Sequence, residues 1–195
     1  SAIGIALAFL VMLFTGILVK GIPGLSQHYV MLDVELDRAR LDPQGDLSAE
    51  SLFSGDADRI MLEAALASVG VEGGRSTKKI VRKMYSSGSS QRLIDYVSQH
   101  PEHFGTKQSI KFAVDDDIDS YLRGFITKET PESDRRINDK TIEFVEQWQA
   151  DGRISYELSD YLFFGSASRD AEMAGIKGAF LGSLLTLAIC LSIAF

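Results

Sequence analysis

The chain has 195 residues, 45% of them hydrophobic and 24% charged, with a formal net charge of −7. Every charge lies between Lys20 and Lys177, so both ends are apolar, which excludes a simple water-exposed globule and equally a chain that is membrane-embedded throughout. The acidic balance excludes a general nucleic-acid binder, and the lone cysteine, Cys190, excludes an internal disulfide framework or a cysteine-based zinc site.

Residues 1–19 carry no charge, and as a helix they reach roughly 28 Å, close to the ~30 Å hydrocarbon thickness of a bilayer. They lack the basic start and small-residue cleavage site of a signal peptide, and Lys20-Gly21-Ile22-Pro23-Gly24 is a helix stop. A transmembrane helix is therefore predicted over 1–19. Next, Val30, Leu32, Val34 and Leu36 alternate with Asp33, Glu35 and Asp37, the pattern of a half-buried strand. A turn follows at 42–46. The spacing predicts a helix over 56–68, with Ile60, Leu62, Ala64, Leu66 and Ala67 inward and Gly70 as its stop. Shorter helices are predicted at 78–85 and 91–99, split by the Ser/Gly run 86–90. Ile110, Phe112 and Val114 alternate in a second strand. Asn138 or Asp139 caps a helix that runs to about Ala150 with Ile142, Val145 and Trp148 inward, and Asp151-Gly152 ends it. Ile154, Tyr156 and Leu158 alternate as a third strand.

Residues 178–195 are again uncharged, and Gly178, Gly182, Thr186, Cys190 and Ala194 recur at every fourth position. Such a small-residue stripe is read as a helix-packing face in a second transmembrane helix. The expected architecture is an α+β extracytoplasmic domain over 20–177 flanked by two transmembrane helices, 1–19 and 178–195. The chain starts without Met and both ends fall inside apolar segments, so a piece of a larger polytopic protein is expected. Charge does not orient it, because Lys20 and Lys177 both flank the domain.

Candidate chemistry is sparse. Asp115-Asp116-Asp117-Ile118-Asp119 opens like a calcium loop, but Ser120 stands at its sixth position and Ile126 at its twelfth, so it reads as an acidic turn after a strand. The run 70–77 is one residue short of a phosphate loop and has Arg75 where Lys is required; Ser76 or Thr77 is expected to cap the next helix instead. Arg75, Lys78, Lys79, Arg82 and Lys83 form the basic cluster, able to attract an anion but read as a solvated helix face. His28, His100 and His103 lack ligand spacing, since a helix cannot run through Pro101 to pair His100 with His103. No catalytic, cofactor or metal site is expected, and the reading is not that of an enzyme.

Several segments together resemble the N-terminal region of phosphate ABC transporter permease subunits of the PstA type, in the alphaproteobacterial-style subgroup with a large extra domain after the first membrane helix. They are 32–37, 116–124, 136–140, 150–154, Phe163-Phe164, Ser168-Arg169 and, most distinctive, Ala174-Gly175-Ile176-Lys177-Gly178-Ala179-Phe180-Leu181-Gly182-Ser183-Leu184-Leu185-Thr186. The resemblance implies an inner-membrane, multi-pass importer component with residues 20–177 in the periplasm. Its implied partners are a second permease subunit, a cytoplasmic ATPase subunit, a periplasmic phosphate-binding protein and the lipid bilayer. It carries over no substrate-contact residue. A second reading, a membrane-anchored extracytoplasmic sensor domain of a receptor or histidine kinase, fits two flanking helices too. Such ectodomains begin in long continuous helices, however, and Pro23-Gly24 breaks the first one early.

Overall fold

A computed structural model describes residues 2–159 and 177–194. The alternation read in the sequence forms strand β1, Ser26–Glu35, with Val30, Leu32 and Val34 fully buried while Met31, Asp33 and Glu35 are not. Each such side chain contributes about 1.5–3 kcal/mol through burial. Strand β2, Lys107–Ala113, pairs antiparallel with β1 so that Val30 lies opposite Phe112 and Leu32 opposite Ile110, both pairs on the covered face. Strand β3, Ile154–Leu158, completes a three-stranded sheet of order β2-β1-β3. The uncovered face is polar: Asp33 accepts from Ser109, and the Arg153 guanidinium lies 3.3 Å from its carboxylate. Those contacts, the Ser109 hydroxyl first, hold the Asp33 carboxyl below its ordinary range.

Helices cover the apolar face. Short α2, Arg38–Leu41, and α3, Ala49–Ser54, start where Asp37 and Ser48 accept backbone N–H bonds as caps. Then come α4, Ala57–Ser68, α5, Arg75–Arg82, and α6, Ser89–Gln99. After β2, Asp115 caps α7, Asp116–Leu122, and Asn138 caps α8, Asp139–Ala150, its Oδ1 accepting from Thr141 N at 2.8 Å. Helix α4 packs on α5 and α6, and α5 touches α8. The core gathers Leu32, Met61, Val81, Leu93, Phe112, Val145 and Trp148. Residues 28–155 form one compact unit; a second comprises residues 1–27 and 156–195.

The second unit contains α1, Ala2–Gly21, followed by a 3₁₀ turn at Ile22–Leu25, and α9, Lys177–Ala194. The expectation of two flanking transmembrane helices is corrected here: among the described residues no helix is long and apolar enough to cross a membrane. Lys20 falls within α1 and α9 begins at Lys177, so their charge-free stretches, 2–19 and 178–194, sit at the lower limit of the roughly 17–25 residues a span requires. The fold is an α+β domain with two helices whose apolar side chains, such as Phe9, Met12, Leu184 and Leu187, are exposed.

Candidate functional site

Helix α5 is amphipathic: Val81 and the following Met84 are buried, which leaves its cationic residues outward. Lys79 and Lys83, one turn apart, share an exposed face, and neither has an ion-pair partner among the described residues. Glu132–Asp134 forms a 3₁₀ turn after Pro131, and Arg135, in extended backbone, and Arg136 follow in a bent segment that leads to the Asn138 cap of α8. These two segments enclose a cavity of about 530 Å³, lined by Lys79, Lys83, Arg135 and Arg136 among others. That volume is in the range of small-molecule sites.

Arg135 is the unusual member. Its side chain is only 4% exposed; one guanidinium nitrogen donates to Asp139, while Nε and Nη1 are buried with no hydrogen-bond partner. A buried donor left unmade costs about 1–3 kcal/mol, more when charged, and an anion that met it would relieve that cost. Arg136 is exposed and lies 3.5 Å from Asp117. Asp115, Asp117 and Glu132 also line the cavity, so its formal balance is four cations against three carboxylates. Asp117 is engaged by Arg136, and Asp115 accepts from the α7 backbone at 3.0 Å. Ser76, Asn138 and Thr141 add neutral polar groups. The Asn138 oxygen is occupied by Thr141 N at 2.8 Å and Thr141 Oγ1 at 2.9 Å, so its amide NH₂ is the group able to donate outward. The N-terminal end of α8 adds a positive dipole at that wall. The Arg135 charge extends to Tyr121 as well: burial pushes that hydroxyl up, its bond to Glu146 adds to the effect, and Arg135 opposes both.

This arrangement can hold a small oxyanion by charge-assisted hydrogen bonds. The sequence singles out Lys79 and Lys83 only within a cluster read as a solvated face, and Asn138 only as a helix cap; Arg135, Arg136 and Thr141 are not read as site residues. The adjacent Arg-Arg pair just before a helix cap was the available signal.

The other candidates settle differently. The helix-packing set Gly178, Gly182, Thr186 and Cys190 lies along α9; Thr186 Oγ1 donates to Gly182 O at 2.9 Å, Cys190 is an exposed free thiol, and a Cβ at Gly182 would meet nothing within 4 Å. In the acidic run, Asp115 is a helix cap and Asp119 accepts from Arg123 Nε at 2.5 Å, with His28 Nδ1 at 2.7 Å. Neither Ser76 nor Thr77 caps α5; Gly74 does, with no side-chain bond, because the helix already starts at Arg75. Phe163, Phe164, Ser168, Arg169 and residues 174–176 lie outside the described residues.

A family model described as "Domain of unknown function (DUF3333)" matches residues 1–132. Neither a curated protein nor a solved structure matches the chain. The match takes in α5 and the acidic wall of the cavity and stops just before Arg135 and Arg136.

Proposed function

The chain belongs to the DUF3333 family, and from that premise we propose that it is part of the permease assembly of an ATP-binding-cassette importer for inorganic phosphate, with the 28–155 unit receiving an oxyanion. The observation that carries the binding role is the buried Arg135, with Nε and Nη1 unmatched, beside Lys79 and Lys83, which have no ion-pair partner among the described residues. The importer assignment is supported by the PstA-type resemblance, above all in residues 174–186. On this reading the unit works outside the cytoplasm. A periplasmic phosphate-binding protein, a second permease subunit and a cytoplasmic ATPase subunit are its partners. The exposed apolar helices α1 and α9 supply surface for those subunits, with the stripe Gly178, Gly182, Thr186 and Cys190 as the close-packing face.

Equilibrium binding of radiolabelled inorganic phosphate to the full chain in mild detergent tests the pocket. Saturable binding is expected, weakened about 10-fold or more by the double substitution Lys79→Gln, Lys83→Gln, since each charge-assisted hydrogen bond is worth about 1.5–3 kcal/mol. Both lysines are exposed, so the substitutions do not disturb the core. Phosphate binding that ignores the double substitution overturns the pocket. Phosphate uptake at low external phosphate that is unchanged when the subunit is deleted overturns the importer assignment.

A further inference from the structure

Helix α6 ends at His100, whose backbone N–H still bonds Tyr96 O at 2.9 Å, and Pro101 then forbids a further α-helical turn. The chain instead makes one 3₁₀ turn, Pro101–His103. At three residues per turn, positions i and i+3 eclipse, which is what brings the two histidines together. Their rings stack with centroids 5.3 Å apart and planes 19° from parallel. Glu102 joins them: its Oε1 lies 3.3 Å from His100 Nδ1 and 3.9 Å from His103 Nε2. One ligand atom from each of the three residues lies within 4.8 Å of the others.

We propose that His100, Glu102 and His103 form a binding site for a divalent transition metal of the zinc class. A metal with bonds of about 2.0–2.2 Å to nitrogen and oxygen places neighbouring ligand atoms roughly 3.0–3.5 Å apart. The Glu102 separations stand at that distance or a few tenths of an ångström beyond it, within reach of exposed side chains. Tyr96 completes the design. Its hydroxyl meets His103 Nδ1 at 2.8 Å, and its ring lies 5.0 Å from that of His100 and 5.7 Å from that of His103. When Nδ1 donates to the phenol oxygen, Nε2 is left as a lone pair, the tautomer a metal requires, and it is the nitrogen that faces Glu102. The three ligands sit at the carboxyl end of α6, where the helix dipole is negative and favours a cation. Two imidazoles and one carboxylate select zinc, nickel, cobalt or copper over calcium or magnesium. All three side chains are partly exposed, so an ion enters without unfolding and water completes its coordination. A bound ion clamps the end of α6 to the turn that leads into β2, and binding to the folded state alone raises the melting temperature. None of these residues belongs to the oxyanion pocket, so the two readings stand or fall separately.

The untagged full chain, stripped with chelator and held in mild detergent, is titrated calorimetrically with ZnCl₂ and followed optically with CoCl₂. One zinc per chain is expected, with a visible cobalt d–d band and a zinc-dependent rise in melting temperature. His100→Ala and His103→Ala should each weaken zinc about 10-fold or more, and Tyr96→Phe should weaken it several-fold by releasing the tautomer. Circular dichroism should be unchanged, because the replaced ligands are surface groups. Substituting His28, the remaining one of three histidines, should leave zinc affinity as it was. Absence of zinc binding up to millimolar concentration, or binding that survives the double His100→Ala, His103→Ala substitution, overturns the site.

Discussion

Trp148 is fully buried, and its indole N–H donates to Ser68 Oγ at 2.8 Å, whose own hydroxyl donates to Ala65 O at 2.7 Å. A tryptophan carries one polar atom into the core, and that atom has one partner. Ser68→Ala should therefore cost about 1–3 kcal/mol, the penalty of a buried donor left unmade. The midpoint of urea unfolding measures it. If the hydrogen bond is the cause, the same substitution made in a Trp148→Phe background should cost clearly less. Equal costs in both backgrounds would assign the loss to packing. Arg135 presents the opposite case, a buried donor the fold leaves partly unmatched, and the proposed oxyanion site rests on that contrast. Trp148 was readable as core from its helical spacing, whereas the burial of Arg135 depends on the turn at Glu132–Asp134 that precedes it.

Among the elements, what was legible followed periodicity. Strand β1 could be read because it is central and covered on one face, so Val30, Leu32 and Val34 alternate cleanly with polar residues. In β3 the alternation is equally clean, yet Tyr156 and Leu158 are half exposed or more, because the strand lies at the sheet edge. Helices α2, α3 and α7 were missed, being four, six and seven residues long and too short to show a period. Their caps Asp37, Ser48 and Asp115 specify them instead. The pocket was illegible because α5 and Arg135 are far apart in the chain and meet only through the packing of α5 on α8. Pro101 does end the helix between His100 and His103, and the single 3₁₀ turn that replaces it is too short to show a period in the sequence. The junction between α2, α3 and α4 gives a test at this scale. Gly55 has an ordinary φ of −69°, yet a Cβ there would lie 2.4 Å from the Leu41 carbonyl oxygen. Gly124 has a φ of +79° with nothing within 4 Å of an added Cβ. Gly55→Ala must push backbone apart and should cost about 2–3 kcal/mol or more. Gly124→Ala pays only for left-handed backbone, about 1–2 kcal/mol. Denaturant unfolding of both variants should rank them in that order, and the reverse ranking would mean that α2 yields to the added methyl.

At the scale of the molecule, the buried core and the exposed apolar helices occupy different parts of the sequence. Every buried hydrophobic residue among those described falls between Tyr29 and Trp148. The large side chains of α1 face outward, Ile3 at 80% and Met12 at 73% exposed, and those of α9 do likewise, with Leu187 at 60%. Among the described residues neither helix contributes a side chain to that core, so the sheet and its helices are expected to hold together without them. Single exposed apolar residues are ordinary on a surface, whereas on α1 and α9 they recur along the described helix, the surface the proposed assembly would cover. Residues 26–159 alone, keeping β1 and β3 whole, should therefore fold. A domain of that size buries roughly two-thirds of its unfolded surface, enough for a melting temperature of about 45–65 °C. The expected result is one cooperative thermal transition, blue-shifted Trp148 emission from the fully buried indole, and a monomer on gel filtration without detergent. The full chain should need detergent to reach the same state. A broad, non-cooperative melt with water-like tryptophan emission would mean that α1 or α9 completes the core after all, and self-association of the 26–159 unit would place the interaction surface on the domain rather than on the helices.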